Sequence, residues 1–87
     1  MSISRADFLR TLPAALGPRQ CRINQDIVIV EAENFRLTLL LSDEGVRRIA
    51  AMTLPVLKVD FTFEGGSRAQ IGKFMTHFDR CYQRGGG

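Results

Sequence analysis

The run from Asp26 to Leu41 constrains the fold more than any other part of the chain, because two apolar stretches there flank the dipeptide Glu33-Asn34. If this dipeptide forms a two-residue turn, the flanking stretches pair as an antiparallel hairpin in which opposed residues share a face. The pairs on one face are Ala32 with Phe35, Val30 with Leu37, and Val28 with Leu39. The pairs on the other face are Glu31 with Arg36, Ile29 with Thr38, and Ile27 with Leu40. This register predicts one core-facing side and a second side that is charged near the turn and apolar away from it.

The apolar part of the second side consists of Ile27, Ile29 and Leu40. Strands that pack on one side normally place polar residues on the other side, so these three residues need cover. The same chain could supply the cover through a loop, the segment 19–23 or the first helix. Another protein molecule could also supply it, by docking on the exposed apolar residues or on an unpaired strand edge.

Length and composition favour one globular domain. A chain of 87 residues can build one hydrophobic core but not a second independent one. Hydrophobic residues at 45% and charged residues at 24% are ordinary values for a folded protein. We expect a domain over residues 1–84 and a flexible glycine tail over residues 85–87. The net charge of +3 favours anionic partners only weakly.

Two helices are predicted, one near each end of the chain. Ser4 can cap a helix that begins at Arg5, and we expect Pro13 to kink or split this helix because proline lacks an amide hydrogen. The second helix runs from Arg68 to about Gln83, after a capping box that starts at Ser67. Its apolar stripe, which we expect to dock on the sheet, contains Ile71, Phe74, Met75, Phe78 and Tyr82.

The remaining strands follow from turn composition and alternation. The segment Ser42–Gly45 resembles a turn and predicts a poorly alternating strand over Val46–Leu54, ended by Pro55. Val56–Glu64 alternates cleanly, which predicts a strand with Leu57, Val59, Phe61 and Phe63 facing inward. The segment Arg19–Ile23 adds a further strand if Asn24-Gln25 turns it back and sets Cys21 opposite Val28.

These elements define the predicted fold. It is an α+β, two-layer arrangement of an N-terminal helix, an antiparallel meander of four strands (five if residues 19–23 contribute one), and a C-terminal helix. Both helices are expected on one face of the sheet, since the hairpin has one strongly apolar side.

No pattern in the sequence indicates an enzyme, a cofactor or a metal site. Cys21 and Cys81 do not form a C-x-x-C pair, and we expect both to be reduced thiols. The single histidine, His77, is expected to be solvated and to lack an orienting partner. Serine nucleophile motifs and paired carboxylates in apolar surroundings are missing as well.

A basic row on the second helix gives an alternative function. Lys73, His77, Arg80 and Arg84 recur at helical spacing on the side away from the apolar stripe. Such a ridge could follow phosphate groups, which would make the protein a nucleic-acid-binding domain. A solvated charged face explains the same pattern, because no aromatic side chain is predicted beside these charges.

The sequence predicts a soluble, cytoplasmic protein. The N-terminal Ser4-Arg5-Ala6 lacks the second arginine of a twin-arginine export signal, and no apolar run reaches the length of a membrane span. The leading functional hypothesis is therefore a non-enzymatic protein–protein interaction or assembly module. We expect a homodimer, formed through the second face or an edge of the sheet.

Overall fold

Four strands lie between two helices in the structure, a computed structural model that describes residues 1–84. The elements are α1 (Arg5–Leu16), β1 (Gln20–Asn24), β2 (Ile27–Glu31), β3 (Phe35–Ile49), β4 (Met52–Gly65) and α2 (Arg68–Arg84). The strands form an antiparallel sheet in the order β1-β2-β3-β4. The predicted two-layer α+β fold is confirmed. The predicted glycine tail, 85–87, lies outside the described residues.

The β2–β3 hairpin has the predicted register. Val30 pairs with Leu37, and both side chains are fully buried. The Ala32 amide donates a hydrogen bond of 3.0 Å to the Phe35 carbonyl, which closes the predicted turn. The core-facing and outer residues of this hairpin are therefore those expected from the sequence.

The predicted chain reversal at Ser42–Gly45 is wrong, because β3 continues through this segment. Gly45 adopts φ +86°, and the pairing with β4 shifts between Asp43 and Val46, so the segment is a β-bulge. The chain turns instead at Ala50, which adopts φ +53°. Gly45 does supply a left-handed conformation, but it bends a strand and does not end one.

The strand predicted over Val46–Leu54 is also wrong. Its first half belongs to β3, its second half belongs to β4, and the two halves pair with each other. Apolar and polar residues alternate poorly in this segment because it contains parts of two strands and the turn between them. Pro55 lies within β4 opposite Val46 and does not end the strand, as an edge strand permits.

The segment near residues 19–23 is a strand, β1, but its register differs from the prediction. Cys21 pairs with Val30 and not with Val28, since the turn falls one residue later, at Gln25-Asp26. Arg5 of α1 donates a hydrogen bond of 2.6 Å to the Asp26 carboxylate. This contact between distant parts of the chain holds the turn and could not be inferred from the local sequence.

Helix α1 is continuous through Pro13, so the predicted split is wrong. Pro13 stands in the last turn, where its missing amide removes a single intrahelical hydrogen bond. Its own carbonyl accepts a hydrogen bond of 3.0 Å from the amide of Gly17. Gly17, with φ +64°, ends the helix.

The core joins both helices to one face of the sheet. The Phe8 ring of α1 stacks on Tyr82 of α2, with ring centroids 4.9 Å apart. The buried Tyr82 hydroxyl donates a hydrogen bond of 2.7 Å to the Phe8 carbonyl. Burial also raises the pKa of Tyr82 above its ordinary value, because the tyrosinate ion would lose its hydration.

Helix α2 packs mainly on the β3–β4 pair. The Phe78 ring lies 5.3 Å from Phe61 of β4, and the Phe74 ring lies 5.4 Å from Phe35 of β3. The predicted capping box is present, with reciprocal hydrogen bonds between Ser67 and the third residue of the helix. Neither helix in residues 1–84 is both long and apolar enough to cross a bilayer.

Candidate functional site

The predicted interface residues Ile27, Ile29 and Leu40 lie together on the sheet face opposite the helices, and we call them the apolar patch. Ile27 and Leu40 are directly paired, with 41% and 43% of their surfaces exposed. Ile29 is half-buried beside them. The neighbouring strands place polar residues next to the patch, Asn24 on β1 and Asp60 on β4. A small apolar surface with a polar rim resembles the centre of a protein–protein contact.

A second apolar surface lies on the part of β3 and β4 from Val46 to Pro55, which we call the arm. Three of its apolar side chains are strongly exposed: Val46 at 69%, Ile49 at 50% and Met52 at 61%. The arm projects beyond the bulge as two paired strands. Sequence reasoning missed it, because the same residues were assigned to one separate strand.

The outer edge of β4 is a third open feature. The amide and carbonyl of Leu57 bond to the carbonyl and amino group of Met1, at 2.8 and 2.7 Å, on the side away from β3. Successive residues of an antiparallel strand direct their backbone groups to opposite sides. The amides and carbonyls of Val59, Phe61 and Phe63 therefore also point away from β3. Within residues 1–84, no strand pairs with β4 at these three residues.

The predicted basic row is only partly a free ridge. Lys73 and Arg80 are exposed on α2. The ring of His77, although exposed, places Nε2 3.3 Å from the Ala14 carbonyl of α1. Arg84 belongs to α2, but its side chain lies outside what the structure describes. A shallow hollow between α2 and the β2–β3 turn brings Lys73 and His77 near Arg19.

His77 has a neighbour that the sequence analysis did not assign to it. Cys81, one helical turn later, places its Sγ 3.6 Å from His77 Nε2 and 3.8 Å from the Ala14 carbonyl. That carbonyl belongs to the last turn of α1, where helix carbonyls lack intrahelical donors. The expectation that His77 has no orienting partner is therefore wrong. His77 and Cys81 together cap the C-terminal end of α1. The spacing of four residues between them was the feature of the sequence that could have predicted their contact.

Arg5 joins three elements at the inner end of the arm. Its guanidinium donates to Asp26 at the β1–β2 turn (2.6 Å) and to Asp43 beside the bulge (3.3 Å). The hydrogen bonds to Asp43 and Asp26 raise the pKa of Arg5, so it remains charged under all ordinary conditions. Arg5 is partly exposed and both carboxylates are largely exposed, so each ion pair by itself contributes little to stability.

The described residues contain no cluster of three or more histidine, cysteine, aspartate or glutamate side chains that could hold a metal ion. The features that the structure brings together are the apolar patch, the arm and the open edge of β4. All three belong to the sheet, and all three present groups that a sheet normally covers. No protein-family model, curated protein or solved structure matches this chain.

Proposed function

We propose that the protein is a non-enzymatic protein–protein interaction or assembly module that self-associates through the open parts of its sheet. The observation that carries the proposal is that the helices cover one face of the sheet, whereas apolar side chains remain exposed on the other. Ile27 and Leu40 are each more than two-fifths exposed although they stand in the middle of the strand order. Burial of such side chains is favourable by about 25 cal/mol per Å².

The open edge of β4 supports the same proposal through hydrogen bonding. The outward amides and carbonyls at Val59, Phe61 and Phe63 can bind another extended strand without rearrangement of the monomer. Edges of this kind are the usual points at which β-proteins associate. An apolar face and an open edge together give the module a surface for contact with a second protein.

Oligomeric state tests this function. We expect the molar mass measured by light scattering or analytical ultracentrifugation to rise from that of the monomer to that of the dimer as concentration increases through the micromolar range. A protein that stays monomeric up to high micromolar concentration would contradict the proposal.

A pair of variants distinguishes the apolar patch from the other two open features, the arm and the edge of β4. Ile29→Lys places a charge within the apolar patch, and Gln20→Lys places the same charge on the same face, outside the patch. If Ile29→Lys alone abolishes self-association, the outer face is the contact. If both variants still associate, the contact lies at the edge of β4 or on the arm.

Nucleic-acid binding is the second candidate, favoured by the exposed Lys73 and Arg80 and by the hollow that brings Lys73 and His77 near Arg19. A ridge that neutralises about four phosphates implies a slope near −3.6 in log affinity against log salt for duplex DNA. Fluorescence anisotropy with labelled duplexes and single strands at low salt tests it, with Lys73→Ala and Arg80→Ala as variants and Arg22→Ala, an exposed cation on β1, as the control. We expect no binding, because Phe35 and Phe74, the aromatic residues that line this hollow, are buried and do not offer a free ring face for stacking on bases.

A further inference from the structure

We propose that two copies of this chain join their β4 strands edge to edge, antiparallel about a two-fold axis at Phe61, to form a continuous eight-stranded sheet. This inference rests on the proposed function, since it requires self-association. It goes further by naming the strand, the register and the contacts. The occupant of the open edge is a second copy of the same chain.

The structure limits the free part of the edge to residues 58–64. On one side, Met1 already bonds to both backbone groups of Leu57. Two residues before Leu57, the backbone of Pro55 also faces away from β3, but proline has no amide hydrogen to donate. On the other side, β4 ends at Gly65 with φ +79°. Residues 55–57 therefore interrupt the edge, and the seven-residue segment 58–64 is left without a partner on its outer side.

The register of the contact follows from which residues of β4 direct their amides and carbonyls outward. Val59, Phe61 and Phe63 are the free residues whose amides and carbonyls point outward, so they must face one another across the contact. An axis at Phe61 pairs Phe61 with its own copy and Val59 with Phe63 of the second copy. All three residues then form hydrogen-bonded pairs. A shift of the axis by one residue in either direction leaves one of the three outward residues opposite Leu57 or Gly65 of the other copy.

Side-chain charge selects the same register. With the axis at Phe61, Lys58 of each copy stands opposite Glu64 of the other, and Asp60 stands opposite Thr62. An axis at Asp60 would oppose two copies of Asp60, and an axis at Thr62 would oppose Asp60 to Glu64. Opposite charges across strands stabilise a pair and like charges destabilise it. Among the side chains that the structure describes, those of residues 1–43 and 45–83, Lys58, Asp60 and Glu64 have no ion-pair partner, so these charges are available.

The core-facing side of the edge is also compatible with the pairing. Val59, Phe61 and Phe63 are half-buried and packed against the core, so part of each side chain remains exposed on this edge strand. In the proposed dimer, Phe61 meets its own copy and Phe63 meets Val59. Aromatic and β-branched cross-strand pairs are favourable. The contact therefore combines backbone hydrogen bonds, two ion pairs and apolar contacts.

Charge exchange between Lys58 and Glu64 tests the register directly. We expect Lys58→Glu alone and Glu64→Lys alone each to weaken dimerisation by about tenfold or more, because each creates two like-charge pairs. The double variant, Lys58→Glu with Glu64→Lys, restores opposite charges and should recover dimerisation to within about threefold of the original protein. Arg22→Glu reverses a charge on the outer face of β1, far from the contact, and should leave dimerisation unchanged.

Amide exchange gives a second measurement that does not depend on the variants. The amides of Val59, Phe61 and Phe63 should exchange rapidly in dilute monomer and become protected as concentration rises, whereas those of Lys58 and Asp60 should be protected in both states. A dimer in which the three outward amides stay unprotected overturns the inference, as does a double variant no better than the single variants.

The outcomes separate the two proposals. A chain that remains monomeric at high micromolar concentration contradicts the proposed function, and the edge pairing with it. A dimer that is abolished by Ile29→Lys and indifferent to the charge exchange leaves the function standing but overturns the edge pairing. A dimer that tolerates Ile29→Lys and shows the charge rescue supports both.

Discussion

The two halves of β3 have similar apolar character but opposite fates. Before the bulge, Leu37, Leu39 and Leu41 are buried under the helices. After it, Val46, whose partner Pro55 lies on the same face as the buried Leu57, is strongly exposed on the arm. The same strand pairs with β4 on both sides of the bulge, so strand pairing does not explain the contrast. The layer of helices explains the contrast, because α1 and α2 contribute to a core that ends where the arm begins.

The comparison shows how differently the two halves are stabilised. Residues in the covered half gain about 1.5–3 kcal/mol for each fully buried large side chain. Residues in the arm depend on cross-strand pairs worth about 0.2–1 kcal/mol each, and an isolated two-stranded hairpin is marginal in water. The arm should therefore open independently of the body, which is the part of the protein outside the arm.

The largest expected effect comes from replacing one apolar residue by alanine in each half of β3 and comparing the losses of stability. Leu39→Ala removes a fully buried side chain and should lower the free energy of unfolding by about 2–5 kcal/mol. Val46→Ala should change it by no more than about 0.5 kcal/mol, because that side chain is exposed. Urea denaturation measures both. Comparable losses would show that the arm is packed in solution and would remove the contrast.

A smaller effect is expected at the helix–helix contact of the body. Tyr82→Phe removes the hydroxyl that bonds to the Phe8 carbonyl and should cost about 0.5–1.5 kcal/mol. The raised pKa of Tyr82 adds a pH dependence. Above pH about 10 the unfolded chain loses this proton while the folded chain retains it, so stability should fall as pH rises.

Unfolding measured from neutral to alkaline pH tests this dependence. Tyr82 is the one tyrosine of the chain, so its tyrosinate absorbance can be followed directly. The tyrosine-linked decline should be missing in Tyr82→Phe, which otherwise shares all titrating groups. Ionisation of Tyr82 near pH 10 in the folded protein would show that the hydroxyl is not buried.

At the boundary between body and arm, Gly45→Ala should cost about 1–2 kcal/mol locally, since Gly45 has φ +86° and an L-residue is strained there. The cost should appear as faster amide exchange in the arm, with little change in global unfolding. Gly72→Ala is the matched control, because Gly72 lies in helix α2 with open space around it and alanine should stabilise it slightly. A large global loss for Gly45→Ala would mean that the bulge belongs to the body.

The smallest effect is expected at the tip of the arm. Ala50 has φ +53°, so Ala50→Gly should relieve strain and stabilise the turn by about 0.5–1 kcal/mol after the greater chain entropy of glycine is subtracted. Slower amide exchange at Ile49 and Met52, the paired residues that flank the turn, would report the gain. If the arm and the body unfold as one unit, the midpoint of thermal unfolding should rise instead.

Local chemistry made much of this fold predictable. The β2–β3 register followed from alternation around Glu33-Asn34, because a slip of one residue would exchange the core-facing and outer sides. The start of α2 followed from the capping box at Ser67. The strand run Val46–Leu54 was predicted wrongly, since a glycine with positive φ serves equally well in a turn and in a bulge.

The sequence by itself determined which residues could be buried and which face of the central hairpin would meet the helices, since these depend on periodicities of two and 3.6 residues. Tertiary structure decided where the helices stop covering the sheet, and therefore that Val46 stays exposed while Leu39, on the same face, is buried. It also decided that His77 caps α1 and that the edge of β4 remains open. These outcomes depend on contacts between segments far apart in the chain, and local sequence patterns carry no information about which distant segments meet.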